Sequence, residues 1–521
     1  MKKTIHISYK LFLILSIIYL ALLVVIFFLG YLKIFYGILF SAILITGAFF
    51  AVRDCMRNPD GNTLKAKTHS SFRLSFIVIA AIFALTVTVI NGVGEYVWGP
   101  FDHAYRRAIF NDLINYKWPI IYDPATQSNP EVIKVLNITN NQGFVYYFTY
   151  WLPSATVGKL FGFAAGNITL VIWNSLGIFL TIIGMCKYIK KASYGTLFMF
   201  LCFSGLDVIP YLINTIHPYS GWAWLEGWVP YISFISNFNN LENVYHQAVP
   251  CYLIITLILL TKNNRSIGLI ASLMFAYSPW ATIGLVIPSA VRLLSGDLYA
   301  SDRKKTLTNI FTFNNLAIPA LMLFSFGTFY GSKSSALHMR GFLWEFLGSI
   351  PKFILVYVLL FVVEVLPALI FVAGKHKKDP MLWSAIAVLL ICPFYFMSEG
   401  NNLVMRGSMP ALFILCIFMA ERIADYTTED EKARLSGRKI GLKANLERAA
   451  FSFVIIGMSF VTCFMFATIF SMTFFSEQRF TDSIVSFGNI AHNDYDFVEV
   501  SKDQFFVDSP EETFFFKYLA K

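Results

Sequence analysis

The sequence predicts an all-α protein, a polytopic transmembrane helical bundle with a large outer first loop that contains amphipathic helices. Hydrophobic residues make up 57% of the 521 residues and charged residues only 14%, whereas soluble domains carry about 25% charged residues. A membrane-spanning helix needs about 20 apolar residues, and about thirteen apolar runs approach that length. This composition excludes soluble globular, disordered and disulfide-scaffold proteins.

The thirteen predicted spans are apolar runs bounded by charged, polar or proline residues. They cover residues 11–30, 33–52, 74–94, 168–186, 193–214, 246–261, 266–279, 281–296, 308–331, 350–374, 381–398, 406–423 and 450–473. Most of the 41 Lys and Arg residues then fall in cytoplasmic segments, as the positive-inside rule requires. We therefore expect a multi-pass protein of the cell membrane, in bacteria the inner or plasma membrane, with the N-terminus cytoplasmic and the C-terminus outside.

For two stretches, the sequence does not decide whether they cross the membrane. Residues 143–163 are apolar, but a crossing there would place the basic end of the next span outside, so we expect an amphipathic or re-entrant helix at the outer interface. Residues 266–296 are short for two spans and are interrupted by Pro279 and Pro288. They form either two spans or a re-entrant hairpin.

The predicted organisation is a transmembrane core followed by a short C-terminal part. The segments are the core 1–423 with its outer loop 95–167, a cytoplasmic loop 424–449, the last span 450–473 and an outer tail 474–521. The Phe-rich end of the tail is expected to dock on the membrane or to cover a cleft. Large segments on the outer face indicate that chemistry or binding takes place there.

The first outer loop contains the candidate acid. Asp102 follows the third span behind a Gly-Pro pair and precedes an apolar-periodic segment that predicts a helix over about 103–115. As a helix N-cap, its carboxylate would accept backbone N–H bonds. As a functional group, it would stay ionised beside Arg106 and Arg107 and accept a proton from a substrate hydroxyl. The two roles are compatible.

Three more polar clusters are predicted near the same outer plane. Asp207 lies near the outer half of a span, where it is either a functional group, because an intramembrane carboxylate is costly, or a residue near the helix end that reaches water. His246 and Gln247 open the span that follows a Trp-rich outer segment, and are either ligand contacts or interfacial polar residues. Arg406 lies at the mouth of a span, where it either snorkels to water or binds phosphate through paired N–H contacts.

Other motifs add little chemistry. Glu364, in the middle of a span, is expected to bond a neighbouring helix. Asp494-Tyr-Asp496 in the tail has a DxD-like spacing, but three residues are too few to indicate a metal site. The sequence has no Walker loop, GxSxG, HExxH or CxxC motif. Polar groups concentrate at one face, and no repeat relates the two halves, which favours a membrane-surface enzyme over a conduit.

The order of these features resembles the GT-C superfamily of integral-membrane glycosyltransferases, in particular a little-characterised bacterial multispan branch. The resemblance covers about 95–410. It rests on Gly-Pro-Phe-Asp102-His103-Ala-Tyr-Arg106-Arg107, Tyr146-Tyr147, Ser204-Gly-Leu-Asp207, His246-Gln247-Ala, Ser278-Pro-Trp280 and Asn401-Asn-Leu-Val-Met-Arg406-Gly-Ser-Met-Pro410.

The resemblance implies a sugar donor linked to polyprenyl phosphate and Asp102 as the catalytic base. Many members pair this acid with a second one, for which Glu95, Asp112 and Asp207 are candidates. We expect inverting transfer to a glycan, lipid or protein acceptor outside. The residues expected to bind the donor phosphate or substrate are His103, Arg106, Arg107, Asp207, His246, Gln247 and Arg406. Trp222, Trp224 and Trp228 would stack on sugars or anchor the interface.

No cofactor is required by this scheme; a divalent metal is possible but not indicated, and the basic net charge needs no nucleic acid to explain it. Two rival functions remain open. One is a lipid-linked sugar flippase or solute transporter, which would need a polar path through the bilayer. The other is a polymerase or ligase of cell-surface glycans, which would use the same kind of donor to join longer chains.

Overall fold

A computed structural model gives the fold. It describes residues 3–56, 71–100, 102–125, 139–216, 225–261, 263–295, 308–333, 340–397, 401–437, 440–476 and 504–521. The described part of the chain is predominantly helical, in agreement with the predicted all-α class. The helices pack around one continuous hydrophobic core that extends from the first helix to the C-terminal residues.

The N-terminal half begins with a helical hairpin. Its helices are α1 Tyr9–Tyr31, α2 Ile34–Cys55, α3 Leu74–Ile90, α4 Asp102–Asn115, α5 Leu152–Phe161, α6 Phe163–Ile189, α7 Tyr194–Cys202 and α8 Val208–Ile216. Ser8 caps α1, because its side chain accepts a hydrogen bond from the backbone N–H of Leu11. The predicted helix over 103–115 corresponds to α4, which begins one residue earlier.

The second half contains the most deeply buried helices. Its helices are α9 Asn237–Leu260, α10 Ile267–Ser272, α11 Pro279–Ser295, α12 Phe313–Tyr330, α13 Leu343–Leu347, α14 Ile350–Glu364, α15 Leu366–His376, α16 Pro380–Ile391, α17 Asn402–Gly407, α18 Met409–Ser436 and α19 Leu442–Phe475. The most apolar window of α9 is 83% buried, against 22% for α19. Helix α9 is therefore central, and α19 presents most of its surface to lipid.

Fewer helices meet strict criteria of length and hydropathy for crossing a membrane than the thirteen predicted spans. Among the described residues, six helical stretches are long and apolar enough to cross: α1, α2, α6, α9, the stretch Asn402–Ser436 and α19. A seventh results if α14 and α15, bent by 60° relative to each other, count as one span. Four shorter apolar helices add to these. The protein is thus a multi-pass membrane protein by length and composition of its helices, and the count of thirteen stays a prediction.

Three small antiparallel sheets accompany the helices. The strands are β1 Thr4–His6, β2 Ser71–Arg73, β3 Ile121–Tyr122, β4 Gln142–Phe144, β5 Arg340–Phe342, β6 Tyr395–Met397 and β7 Phe506–Asp508. The pairs are β1 with β2, β5 with β6, and β4 with both β3 and β7. Strands of two or three residues are too short to produce a recognisable alternating pattern, so the sequence did not predict them.

The two stretches whose crossing was open form short helices. In 143–163 the α-helix is α5, whose ten residues span about 15 Å, half of a bilayer core, and α6 begins at Phe163. In 266–296, α10 continues as a 3₁₀ turn and is followed by the longer α11. Within the loop 424–449, α18 extends to Ser436 and α19 begins at Leu442, so most of that loop is helical.

The C-terminal tail docks on the protein. Strand β7 pairs with β4, so that Val507 lies opposite Gly143. The backbone N–H of Lys33 donates to the carbonyl of Leu519 at 2.8 Å, and the last residue, Lys521, donates to Tyr31 at 3.0 Å. The tail therefore covers the end of the α1–α2 hairpin on the same face as α4.

Candidate functional site

Asp102 lies at the start of α4 and is an exposed acid. Its carboxylate accepts a hydrogen bond from Arg106 Nη2 at 2.9 Å, one helical turn along α4. The Asp102 side chain is 49% exposed, whereas that of Arg106 is only 7% exposed. The carboxylate is thus hydrogen-bonded to the protein on one side and exposed to solvent on the other.

The helix α4 docks on α9 through one carbonyl group. The carbonyl oxygen of Glu242 accepts from Arg106 Nη1 at 3.3 Å and lies 2.8 Å from His103 Nε2. Helical geometry is broken two residues later, at Val244, with φ −143° and ψ 42°. The Arg106 guanidinium also lies 5.8 Å from the centre of the Tyr245 ring, a cation–π contact.

His103 is buried in this contact as a neutral ring. Burial, reinforced by the positive charge of Arg106, lowers the pKa of His103 to about 3. A neutral imidazole still carries one N–H, which can donate to a backbone carbonyl. His103 therefore fixes α4 against α9 and carries no charge at neutral pH.

His246 and Gln247 lie one turn further along α9 and are both buried. The His246 ring packs on Trp151, with ring centres 4.5 Å apart, and is parallel to Tyr147 at 5.9 Å. Gln247 Nε2 lies 3.2 Å from His246 Nε2, and the Gln247 side-chain oxygen accepts from Ser278 Oγ at 2.6 Å. The imidazole is thus positioned by its neighbours on several sides.

Arg406 approaches the same place from α17. It is only 7% exposed, and its backbone carbonyl accepts from the N–H of Ser408, yet its side chain forms no hydrogen bond and no ion pair with any residue in the described ranges. Its guanidinium interacts electrostatically with Asp102, Arg106, Tyr146 and Tyr147. A buried cation without a bonded partner beside an open carboxylate is costly, and an anionic ligand would remove that cost.

Two adjacent tyrosines line the space between these charges. Tyr146 and Tyr147 have ring centres 3.8 Å apart and are both half-buried. Burial raises the pKa of both phenols, so they stay neutral hydrogen-bonding groups. Phe505 of the C-terminal tail packs on Tyr146 at 4.8 Å. The tail thus supports one wall of the candidate site.

The structure brings together six of the eight residues predicted for the site. These are Asp102, His103, Arg106, His246, Gln247 and Arg406. Arg107 forms an ion pair with Glu95. Asp207 interacts with Glu364 instead of Asp102. Asp112 accepts a hydrogen bond from the Tyr122 hydroxyl at 2.7 Å. The three candidates for a second acid therefore all have other protein partners.

Sequence reasoning missed two buried acids near the start of α9, Glu242 and Glu226. Glu226 Oε1 accepts from the backbone N–H of Ser236 at 2.5 Å, and its other oxygen accepts from Asn239. Burial, helped by the charge of Asp207, raises the pKa of Glu226 to about 8. The available signal was the polar run Ser236-Asn-Phe-Asn-Asn-Leu-Glu-Asn243, which precedes an apolar span.

The described ranges contain no group of three His, Cys, Asp or Glu side chains that could hold a metal ion. Asp494 and Asp496 lie outside the described residues, as do Trp222 and Trp224. Trp228 donates a hydrogen bond to Glu364 at 2.9 Å.

Comparisons with models of known families, with curated proteins and with solved structures find no match.

Proposed function

We propose that the protein is a membrane glycosyltransferase of the GT-C type. It would move a sugar from a polyprenyl-phosphate-linked donor to an acceptor on the extracytoplasmic face, with inversion and with Asp102 as general base. One observation carries this proposal: the buried Arg406 side chain, which has no bonded partner among the described residues, interacts electrostatically with the half-exposed carboxylate of Asp102. A transfer from a lipid phosphate needs this combination, an anion site beside a base.

The reaction requires a proton acceptor on one side of the sugar. Asp102 would take the proton of the acceptor hydroxyl while the oxygen attacks C1 of the sugar. The bond between C1 and the phosphate oxygen breaks, and its electron pair leaves with the polyprenyl phosphate. Because Arg106 donates to one side of Asp102, the carboxylate is oriented and its exposed side remains available.

The leaving phosphate gains negative charge in the transition state. Arg406 would donate to it, and Arg106 would add positive charge nearby; such electrostatic stabilisation is typically worth several kcal/mol. The neutral His103 and the two tyrosines add no opposing charge. Arg107 is occupied by Glu95 and is assigned a structural role in the outer loop.

The membrane setting fits a lipid-linked donor. Such a donor lies in the bilayer with its phosphate at the surface, and Asp102 lies on a face covered by the short helix α5 and the C-terminal tail. Within this proposal the chain crosses thirteen times, with the N-terminus in the cytoplasm and this face outside. The positive-inside bias of the sequence supports that orientation.

The direct test is incubation of the purified protein with a labelled polyprenyl-phosphate sugar and candidate acceptors. The proposal expects release of polyprenyl phosphate and a labelled covalent product. In sealed vesicles, a carrier would move the lipid-linked sugar to the other side of the membrane with no covalent product.

The specific observation that favours a carrier is the intramembrane pair Asp207 and Glu364, because buried acids often mark ion pathways. Product length would separate a polymerase or ligase from a single-sugar transferase.

A further inference from the structure

A non-helical segment, residues 203–207, connects α7 to α8 and runs beside the bend between α14 and α15. The backbone N–H of Leu206 donates to the carbonyl of Val363 at 3.0 Å and so ties the segment to the last turn of α14. A Cβ atom at Gly205 would lie 2.9 Å from the Cα of Glu364, closer than real contacts allow. Glycine therefore permits the close approach of the two backbones.

This approach brings the carboxyl groups of Asp207 and Glu364 together. Both residues are buried, and each carboxyl has the other as a direct interaction partner. Trp228 Nε1 donates to Glu364 Oε1 at 2.9 Å. The other three oxygens of the pair are enclosed and accept no hydrogen bond of normal geometry from a donor in the described part of the chain, although Trp228 also acts on the Asp207 carboxyl.

The surroundings of the pair do not neutralise it. Glu226, from the segment before α9, acts on both carboxyls and is itself an acid. No lysine, arginine or histidine is among the groups that act most strongly on either one. Two carboxylates in contact in a low-dielectric interior repel each other strongly, so that one must be protonated.

We infer that Asp207 and Glu364 form a buried proton-binding site, in which one proton is shared between the two carboxyl groups. The proton makes an O–H···O hydrogen bond between the enclosed oxygens, and Trp228 holds the remaining negative charge on Glu364. The inference does not depend on the proposed transferase activity.

A metal cation fits this place less well than a proton. Ca²⁺ takes six to eight oxygen ligands and Mg²⁺ requires six in octahedral order. Among the described residues no third His, Cys, Asp or Glu completes a metal-binding group here. In addition, Glu364 Oε1 is bonded to an N–H donor, that of Trp228, and not to a further oxygen.

The shared proton stabilises the contact between the segment 203–207 and the bend between α14 and α15. Glu364 ends α14, and the chain bends there by 60° before α15 begins. Loss of the proton would leave two negative charges in contact and would drive the segment 203–207 away from the bend. Trp228 belongs to the same outer segment as Glu226, which holds the start of α9. Release of the proton therefore loosens the bend first and the segment before α9 second.

Infrared spectroscopy of the full-length protein in lipid nanodiscs tests the proton directly. Glu226→Gln serves as the background, since Glu226 is a second buried acid close by. We expect the difference spectrum between this background and the same protein with Asp207→Asn to show the loss of one carboxylic-acid band at pH 7, and Glu364→Gln to remove the same band. Unchanged carboxylic-acid bands in both variants would overturn the inference.

Hydrogen exchange of the unmodified chain gives a second test that needs no variant. Amides of 350–376 and 203–207 should exchange faster as pH rises, beyond the intrinsic increase measured in the helix α1, and Asp207→Asn should remove this excess. Absence of the excess would overturn the inference. So would its suppression by added Na⁺ or Ca²⁺ at constant pH, because a cation would then be the ligand.

Discussion

Arg106 donates to Asp102 at 2.9 Å from one turn further along the same helix, and it also donates to the carbonyl of Glu242 on α9. The arginine thus orients the carboxylate while being fixed itself by a second element. The exposed side of Asp102 is left for a ligand. The hydrogen bond from Arg106 thus orients the Asp102 carboxylate and leaves its exposed side accessible.

Replacing Asp102 should remove transfer and preserve the fold. Asp102→Asn keeps the shape and can still accept from Arg106, but the amide cannot take a proton. We expect transfer from a polyprenyl-phosphate sugar to fall by about 10²–10⁴-fold, the usual contribution of a general base. The melting temperature in detergent should stay within a few degrees.

The matched control for this change is Asp123→Asn in the same outer loop. Asp123 Oδ1 accepts from the backbone N–H of Ala125 at 2.8 Å, and an asparagine can do the same. Its transfer rate should equal that of the unmodified protein. Near-normal transfer by a well-folded Asp102→Asn protein would remove Asp102 from the mechanism.

Arg406→Gln should separate activity from stability. The substitution removes a buried charge that has no bonded partner in the described residues, so the free energy of unfolding should stay the same or rise. Transfer should fall by about 10²–10³-fold, as for loss of one donor to a developing anion. Thermal denaturation and transfer rates, measured on the same preparation, check both.

Arg107→Gln provides the contrast. Arg107 pairs with Glu95, and both are mostly buried, so the change leaves a partly buried carboxylate unpaired. We expect a lower melting temperature with little loss of transfer by the folded fraction. If Arg406→Gln were the destabilised variant and kept its activity, the anion site would be wrongly assigned.

Glu226 should contribute a pH dependence to stability. Its pKa is raised to about 8 in the folded protein, from an ordinary value near 4.5. Between these values the folded state holds a proton that the unfolded state has lost, so stability falls as pH rises from about 4.5 to about 8. Glu226→Gln should flatten this part of the profile of melting temperature against pH.

The exposed Glu511 offers the control for that profile. Glu511→Gln should leave the slope of melting temperature against pH unchanged. A slope that is the same in Glu226→Gln and in the unmodified protein would show that the Glu226 carboxyl is ionised throughout the range.

The C-terminal tail should contribute to stability through one side chain. Phe515 is fully buried, with its ring centre 4.9 Å from that of Phe329, whereas its neighbour Phe514 is 51% exposed. Phe515→Ala should lower the free energy of unfolding by about 3–5 kcal/mol. Phe514→Ala should change it by less than about 1 kcal/mol. Equal melting temperatures for the two variants would contradict the docked position of the tail.

The two faces of the bundle should react with membrane-impermeant thiol reagents from opposite sides. Asn115 lies at the end of α4, and Lys432 lies on the far end of α18; both are exposed. In a background with Cys463→Ala, Asn115→Cys should react in intact cells and Lys432→Cys only in inverted vesicles. The reverse pattern would invert the predicted orientation.

Part of the site could be read from the sequence. Asp102 and Arg106 are one helical turn apart, so the local period of a predicted helix was enough to expect their contact. Glu364 was expected to bond a neighbouring helix, but its hydrogen-bond donor is Trp228, which lies in the non-helical segment before α9. The partner of Asp207 was not foreseen, because it depends on a non-helical connection that passes beside a bend in another helix.

The sequence by itself determined that this is a helical membrane protein, because the length and apolarity of a segment are local properties and a bilayer accepts only segments that satisfy their own backbone. It also determined that the polar groups lie near helix ends. Only the tertiary structure decided which of them meet. Arg406 lies within electrostatic range of Asp102 while Asp207 meets Glu364, because each relationship depends on the packing of elements far apart in the chain.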